Sequence, residues 1–341
     1  MRAAVYRGKG DMGVEERPVP DVGPNDVLLA VSHCGVCGSD LHFVNEGWGQ
    51  PGSIEGHEWS GRVVAVGGAV TQWSVGDSAV GGPTPRCGRC EHCLAGRPSL
   101  CAARNTPGAG AHHDGAFAEY VIAHEAGLKR VPDGMPLRVA ALAEPLAVAL
   151  HGLTRGGVQA GQRVLVTGAG PIGTLSVAAA RARGVSDIVV SEPHAKRRAL
   201  AARLGAKVVE PDELVTPPSP GDVVPEPFDV VLECSGHSRA MESGLAQLKR
   251  GGTLVLVGAG MHRPKFDNNR ILLNELVITG AFIYDADGFD RALELLADAS
   301  FPSDVLIEAE DVPLDDILSA IEGLHEGELA AKVMIVPSRD T

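Results

Sequence analysis

The chain has no excess of basic charge: its 341 residues carry 30 Lys and Arg against 43 Asp and Glu, a formal net charge of −13. So acidic a chain repels phosphate backbones, which excludes nucleic acid as the expected partner. It lacks the roughly 18 uninterrupted apolar residues that a membrane span requires. The opening MRAAVYRGKG has no apolar h-region, so no secretory signal is expected and a reducing, cytoplasmic location is. The 43 glycines show no G-X-Y period, and there is neither an internal repeat nor a low-complexity tract. With 44% apolar and 21% charged residues the composition is that of a globular protein, and the length suits two domains with one core each.

What is present changes character along the chain. Residues 1–150 read as short β runs broken by Gly and Pro, such as MRAAVY, DVLLAVSHCGV, SGRVVAVG and FAEYVIA, with no long helical pattern before about Leu137. After His151, strands alternate with helices. RVLVT is followed by PIGTLSVAAARARG, DIVVSE by AKRRALAARLG, and FDVVLECSG by the helix pattern MESGLAQLKRGG and the strand GTLVLVG. That alternation predicts βαβ units and a parallel sheet. PDELVTPPSPGDVVPEP, with six prolines in seventeen residues, reads as an exposed loop within this region. Residues 274–284 read as a strand, GFDRALELLAD and LDDILSAIEGLHEG as amphipathic helices, and KVMIVP as a last strand.

Gly168-Ala-Gly170-Pro171-Ile172-Gly173 is a GxGxxG that follows a strand and opens a helix. The first Gly permits the turn, the second lets a pyrophosphate approach the backbone, and the third lets helix and strand pack closely. The helix N-terminus adds free N–H groups and a positive dipole end. Glu192, 19 residues after Gly173, ends the next strand, where a carboxylate accepts from ribose hydroxyls and repels a 2′-phosphate. This favours NAD over NADP. The following Lys196, Arg197 and Arg198 pull the other way, because a basic cluster binds a 2′-phosphate unless it is simply a solvated helix face.

Seven cysteines in a reducing compartment point to metal or redox chemistry. Cys87, Cys90, Cys93 and Cys101 form C-x2-C-x2-C-x7-C, a spacing that closes a tetrahedral all-thiolate shell around one ion. A closed shell leaves no place for substrate, so this ion would staple a polar loop, residues 83–105. Zinc is the expected ion, with Fe–S ligation the alternative. A second set is dispersed: Cys37 in GVCGSDLH, His57 and Glu58 in GHE, and Glu144 in AEPLAVALH. One thiolate, one imidazole and one carboxylate make three ligands with an open fourth position. Taken singly, Cys37 reads as a core thiol, His57 as a turn residue and Glu144 as a first-turn helix acid. Cys34 and Cys234 belong to neither set and read as structural thiols.

GVCGSDLH, GHE, the four-cysteine loop, AEPLAVALH, TGAGPIG and the ECSG strand end occur in an order that resembles the zinc-dependent medium-chain dehydrogenase/reductase superfamily. The resemblance spans nearly the whole chain and is nearest to the polyol branch of sorbitol, butanediol and threonine dehydrogenases. It implies an α/β protein: a doubly wound Rossmann sheet (151–284) inserted in a β-rich, GroES-like catalytic domain (1–150 and 285–341). It implies NAD-linked, reversible oxidation of a secondary alcohol such as a diol, polyol or cyclitol, with an NADP-linked ketone reductase or sugar dehydrogenase of the same superfamily, or a non-catalytic nucleotide binder, as alternatives. It implies two zinc ions per chain. Cys37, His57 and Glu144 would hold the catalytic one, with Glu58 as an outer or exchanging ligand. Glu144 stands where liver-type alcohol dehydrogenases have Cys, which favours the polyol branch.

Ser39 and His42 match the family's proton relay, Asp40 would orient a zinc ligand, and Lys332 matches a basic residue on the cofactor pyrophosphate. The plain alternative for Lys332 is a surface lysine before the last strand. Trp48 and Tyr284 are the expected pocket aromatics, with Phe43, Trp59 and Ile283 as further candidates. Family dimers join Rossmann sheets edge to edge, here through ITGAFIYD, so a homodimer or homotetramer is expected, acting on a small-molecule alcohol or ketone.

Overall fold

The computed structural model describes residues 1–83, 87–104 and 114–338. Residues 84–86 and 105, part of the expected zinc loop, lie outside the described residues. Strands run in chain order as β1 (Arg2–Gly8), β2 (Asp11–Glu16), β3 (Asp26–Gly35), β4 (Glu58–Val66), β5 (Ser78–Gly81), β6 (Tyr120–His124) and β7 (Lys129–Arg130). Then follow β8 (Arg163–Thr167), β9 (Asp187–Ser191), β10 (Lys207–Val209), β11 (Phe228–Glu233), β12 (Leu248–Leu256) and β13 (Val277–Gly280). The chain ends with β14 (Val312–Pro313) and β15 (Met334–Val336). The contacts divide the chain into two compact units: Met1–Ala147 with Ile283–Thr341, and Val148–Phe282.

In the first unit a seven-stranded sheet has the order β14-β15-β3-β4-β5-β7, with β6 paired to β3, and β1 and β2 form a separate hairpin. DVLLAVSHCG in β3 buries Val27, Leu29, Val31 and Cys34. With Tyr6, Trp59, Phe117 and Ile335 they form the core that the alternating pattern requires. The second unit is a six-stranded, wholly parallel sheet of order β10-β9-β8-β11-β12-β13. Its central strands are apolar on both faces, because helices cover both. The order reverses between β8 and β11, and in such sheets ligands bind at the carboxyl ends of the strands at that point.

Three readings are corrected. Residues 274–284 are not one strand: β13 covers Val277–Gly280, and Ile283 then takes φ 55, a left-handed value that a β-branched side chain disfavours. Gly38–Glu46 is a helix that the sequence pattern does not announce, because one short polar stretch shows little periodicity. Leu248–Arg250 belong to β12 and not to the preceding helix, which ends at Ala246.

The proline-rich stretch is a loop with one short 3-10 turn, Pro211–Glu213. The buried Arg270 guanidinium pins it, donating to the carbonyls of Pro217, Ser219 and Asp222. Asn274 donates to Pro220 O and Gln247 to Val215 O. Among the described residues one helical stretch, Leu137–Arg155, is long and apolar enough to cross a membrane, but 72% of its apolar window is buried within the protein.

Candidate active site

Strand register brings remote residues together. Gly35, at the end of β3, pairs with Glu58 at the start of β4, and with Met334 at the start of β15. Cys37 therefore emerges beside His57 and Glu58, and Lys332 arrives from the third strand. Gly35 is required here: a Cβ would overlap Glu58 Oε2 and lie 3.1 Å from Lys332 Cδ. The Cys37 thiol, a His57 ring nitrogen and a Glu58 carboxylate oxygen lie within 4.8 Å of one another. Glu144, from the first turn of the helix Ala143–Arg155, is buried beside them but is not in that triplet.

Lys332 is neither a surface lysine nor free for a pyrophosphate. It is 1% exposed, with Nζ 2.6 Å from Glu58 Oε2, 2.8 Å from Oε1 and 2.9 Å from Val36 O. The sequence holds no signal for this pairing, because it is made by strand register. Behind the triplet, Asp40 is fully buried. Its Oδ2 accepts from Cys37 N at 2.8 Å, and its Oδ1 lies 3.9 Å from His57 Nδ1.

The electrostatics ask for a cation. Burial pushes Glu144 up to about 8, and the charges of Glu58 and Asp40 push the same way, against His57 and Lys332. Burial lifts Asp40 to about 6. Burial would depress His57, yet the charges of Cys37, Asp40 and Glu144 hold it well above its ordinary value. Acids thus outnumber bases in a dry pocket, and a thiolate, an imidazole and a carboxylate are the donors that zinc prefers. The residues fit such an ion.

Ser39 Oγ is buried without a hydrogen-bond partner, a cost that a substrate hydroxyl would relieve. His42 lies on the same helix; its Nδ1 is 3.0 Å from Glu46 Oε1, and its ring stacks on Trp48 at 4.6 Å. Glu46 was not foreseen, although i,i+4 spacing makes it legible once the helix is known. Trp48 is 42% exposed and Trp59 is core. Tyr284 is buried, its hydroxyl donating to Pro83 O at 3.0 Å and interacting with Glu144. Tyr284 thus contacts Glu144 and also lines a small cavity. Phe43 is half-buried, and Ile283 lines a small cavity with Tyr284, Pro83 and Ser99.

Cys87, Cys90, Cys93 and Cys101 also bring their sulfurs within 4.8 Å of one another. Backbone N–H groups turn towards them: Cys87 N donates to Cys101 Sγ and Cys90 N to Cys87 Sγ, both at 3.4 Å. Hydrogen bonds from Ala102 and Cys93 lower Cys90 to about 6, so a thiolate is at hand near neutrality. The lobe is tied down by Arg97 Nε to Asp285 at 3.0 Å and by Ala286 N to Gly96 O at 3.0 Å. It thereby anchors the segment carrying Tyr284. Cys34 is buried and Cys234 half-buried, and loss of hydration raises both thiols, Cys234 to about 12, as in inert cysteines.

In the second unit Gly168 (φ 92) turns the chain after β8, and Pro171 opens the helix Pro171–Ala182. A Cβ on Gly173 would overlap Gly168 O, whereas one on Gly170 would meet nothing within 4 Å. Close packing behind and open space in front leave a concavity that could receive a pyrophosphate. Ile172 follows at the helix start, half-buried. Glu192 is buried at the end of β9, accepting from Ala169 N at 2.7 Å and His194 N at 2.8 Å. Arg198 is turned to the carbonyls of Glu192 and Pro193 and to Glu210. Arg197 is half-buried and Lys196 exposed on the same helix.

Residues 23–133 match the family described as alcohol dehydrogenase GroES-like domain, and residues 171–298 the family described as zinc-binding dehydrogenase. An L-threonine 3-dehydrogenase of Chelativorans sp. (strain BNC1) is 33% identical over 344 residues, 98% of each chain. A sorbitol dehydrogenase of Bacillus subtilis (strain 168) is 33% identical over 99% of this chain and 98% of its own. A crystal structure from Sinorhizobium meliloti 1021, described as a zinc-binding dehydrogenase bound to NADP, superposes with a TM-score of 0.85 at 32% identity. It covers 98% of this chain and 99% of its own.

Proposed function

The chain belongs to the zinc-dependent medium-chain dehydrogenase/reductase superfamily of alcohol dehydrogenases, and from that premise we propose that it oxidises a secondary alcohol of the diol, polyol or cyclitol class to a ketone, reversibly, with NAD. It is a zinc-dependent, nicotinamide-linked enzyme of alcohol oxidation. The observation that carries the finer reading is the convergence of Cys37, His57 and Glu58 beside an unpartnered, buried Ser39 hydroxyl.

Cys37 and His57 would hold the metal, with Glu58 or Glu144 as the carboxylate ligand. Bound there, zinc would supply Lewis-acid polarisation of the alcohol oxygen, and the nicotinamide would serve as hydride acceptor. Asp40 orients His57, which is what a carboxylate behind a ligating imidazole does. Ser39 Oγ takes the substrate's hydroxyl proton, and His42, steadied by Glu46 and Trp48, exchanges it with solvent.

Glu192 favours NAD: its carboxylate is fixed at the strand end by two backbone N–H groups, and Arg198 is engaged by the carbonyls of Glu192 and Pro193 and by Glu210. The NADP-bound relative keeps the alternative in play, so both cofactors belong in the assay. We extend the reading to a homo-oligomer joined through β13, an edge strand with Val277 50% exposed. None of the seven cysteines is paired in a disulfide, and we extend the reading to a cytoplasmic enzyme.

The experiment is a panel of diols, polyols, cyclitols and simple secondary alcohols with NAD and with NADP, with zinc quantified on the same sample. Turnover on a polyol-type alcohol that is faster with NAD and lost in Cys37→Ser is expected. Zinc-loaded protein inert across the panel would overturn the substrate class, and full activity in Cys37→Ser would overturn the zinc centre.

A further inference from the structure

Glu233 ends β11 at the point where the strand order reverses, in register with Thr167, the residue before Gly168. It is fully buried, and burial pushes its pKa up to about 7 against the hydrogen bonds it accepts. Oε1 accepts from Ser235 N at 2.8 Å, from the Ser235 hydroxyl and from Gly236 N at 3.0 Å. Oε2 lies 3.2 Å from Gly236 N, and His237 N donates to Ser235 Oγ at 3.1 Å. One carboxylate thus organises the whole turn from Cys234 to His237.

A carboxylate is costly to bury, and this one is held by a single turn. That turn is tightly packed on both sides. A Cβ on Gly168 would lie 2.7 Å from Ser235 Cβ and 2.9 Å from Ser235 N. Gly236 is left-handed at φ 71, a Cβ there would overlap Ala259 O, and a Cβ on Gly260 would overlap Gly236 O. The loops that follow β8, β11 and β12 therefore abut through glycine backbone, and Glu233 fixes the middle one.

We propose that Glu233 is a positioning residue for the nicotinamide dinucleotide: acting through Ser235 and Gly236, it sets the place of the Gly168–Gly170 turn that receives the pyrophosphate. The proposal rests on the reading of the second unit as the dinucleotide site. It adds a residue that never touches the pyrophosphate yet decides how well the turn fits it. Loss of Glu233 should therefore weaken cofactor binding while leaving the chemistry at saturating cofactor alone.

The test is titration of zinc-loaded protein with NADH and NADPH, read by nucleotide fluorescence, on the unaltered protein, Glu233→Gln and Ser235→Ala. Glu233→Gln keeps the shape but turns one acceptor into a donor facing a backbone N–H. Assayed above neutral pH, where Glu233 is ionised, it should weaken binding about tenfold, the worth of one buried hydrogen bond to a charged group. The KM for cofactor should rise by a like factor, with kcat and zinc content unchanged. Ser235→Ala, which removes one donor, should weaken binding about threefold; it decides the matter if Glu233→Gln fails to fold. Unaltered affinity in the variant that folds, with or without a lower melting temperature, overturns the proposal and leaves Glu233 a purely structural residue. Unaltered protein that binds neither nucleotide removes the premise instead, a result distinct from the first.

Discussion

Replacing Lys332 with Met isolates the ion pair on which the metal pocket is built. Lys332 is 1% exposed and Glu58 fully buried, so the substitution leaves a carboxylate without its counter-ion, and without water, 2.6 Å from where the ammonium stood. It also strands the Val36 carbonyl, which accepts from Nζ at 2.9 Å. Asp40 and Glu144 already feel the charge of Glu58, so neither can absorb it. Removing one partner of a buried pair costs about 3–5 kcal/mol.

Zinc offsets part of that charge, so the loss should be greater in chelated protein than in zinc-loaded protein. The assay is urea unfolding followed by tryptophan fluorescence, which reports the first unit alone because Trp48, Trp59 and Trp73 all lie in it. Adding Glu58→Gln to Lys332→Met should restore most of the stability, because nothing charged is then left unpaired. A Lys332→Met midpoint equal to that of the unaltered chain, or losses that simply add in the double variant, would refute the argument.

Cys90→Ser should lower zinc from about two ions per chain to one and loosen the segment that Arg97 and Gly96 hold, so the KM for alcohol rises although the lobe binds no substrate; metal analysis with steady-state kinetics checks it. Gly173→Val places side-chain atoms against Gly168 O, so NADH binding should be lost with zinc content intact, as nucleotide fluorescence and metal analysis would show. Glu233 has a folded-state pKa of about 7 against an ordinary 4.5, so the neutral form is favoured in the fold. Its contribution is fully present below the unfolded pKa and fades as pH rises through the folded one, a loss of about 3 kcal/mol. Thermal unfolding at several pH values should show that decline in the unaltered chain and its absence in Glu233→Gln.

The nucleotide half of the molecule was largely legible in the sequence. RVLVT-GAGPIG is local: strand, turn and helix are contiguous, and each glycine has a steric reason readable from the motif. The four cysteines were legible for the same reason, since C-x2-C-x2-C can close only on itself. The open metal centre was legible as a set of residue types, but its geometry was not. Cys37, His57 and Glu58 meet because Gly35 pairs with Glu58, and Lys332 joins them because Met334 pairs with Gly35; register of this kind is a long-range property. The same pairing places a Glu58 oxygen within 4.8 Å of the Cys37 thiol and a His57 nitrogen. The helix carrying Ser39 and His42 is not legible because one short polar stretch has too few apolar positions to show a period, and the Glu46 partner of His42 is hidden with it. Tyr284 was placed in the right neighbourhood, but only the folded chain shows its hydroxyl turned to Pro83 O and Glu144.

Anomalous scattering at the zinc edge, measured on crystals of the zinc-loaded protein, locates both ions in one experiment. One peak is expected among Cys87, Cys90, Cys93 and Cys101 and a second bonded by Cys37 Sγ and a His57 nitrogen, with Glu58 or Glu144 completing the protein ligands. A peak at the four cysteines alone, with no ion between Cys37 and His57, would show that these side chains hold no catalytic metal.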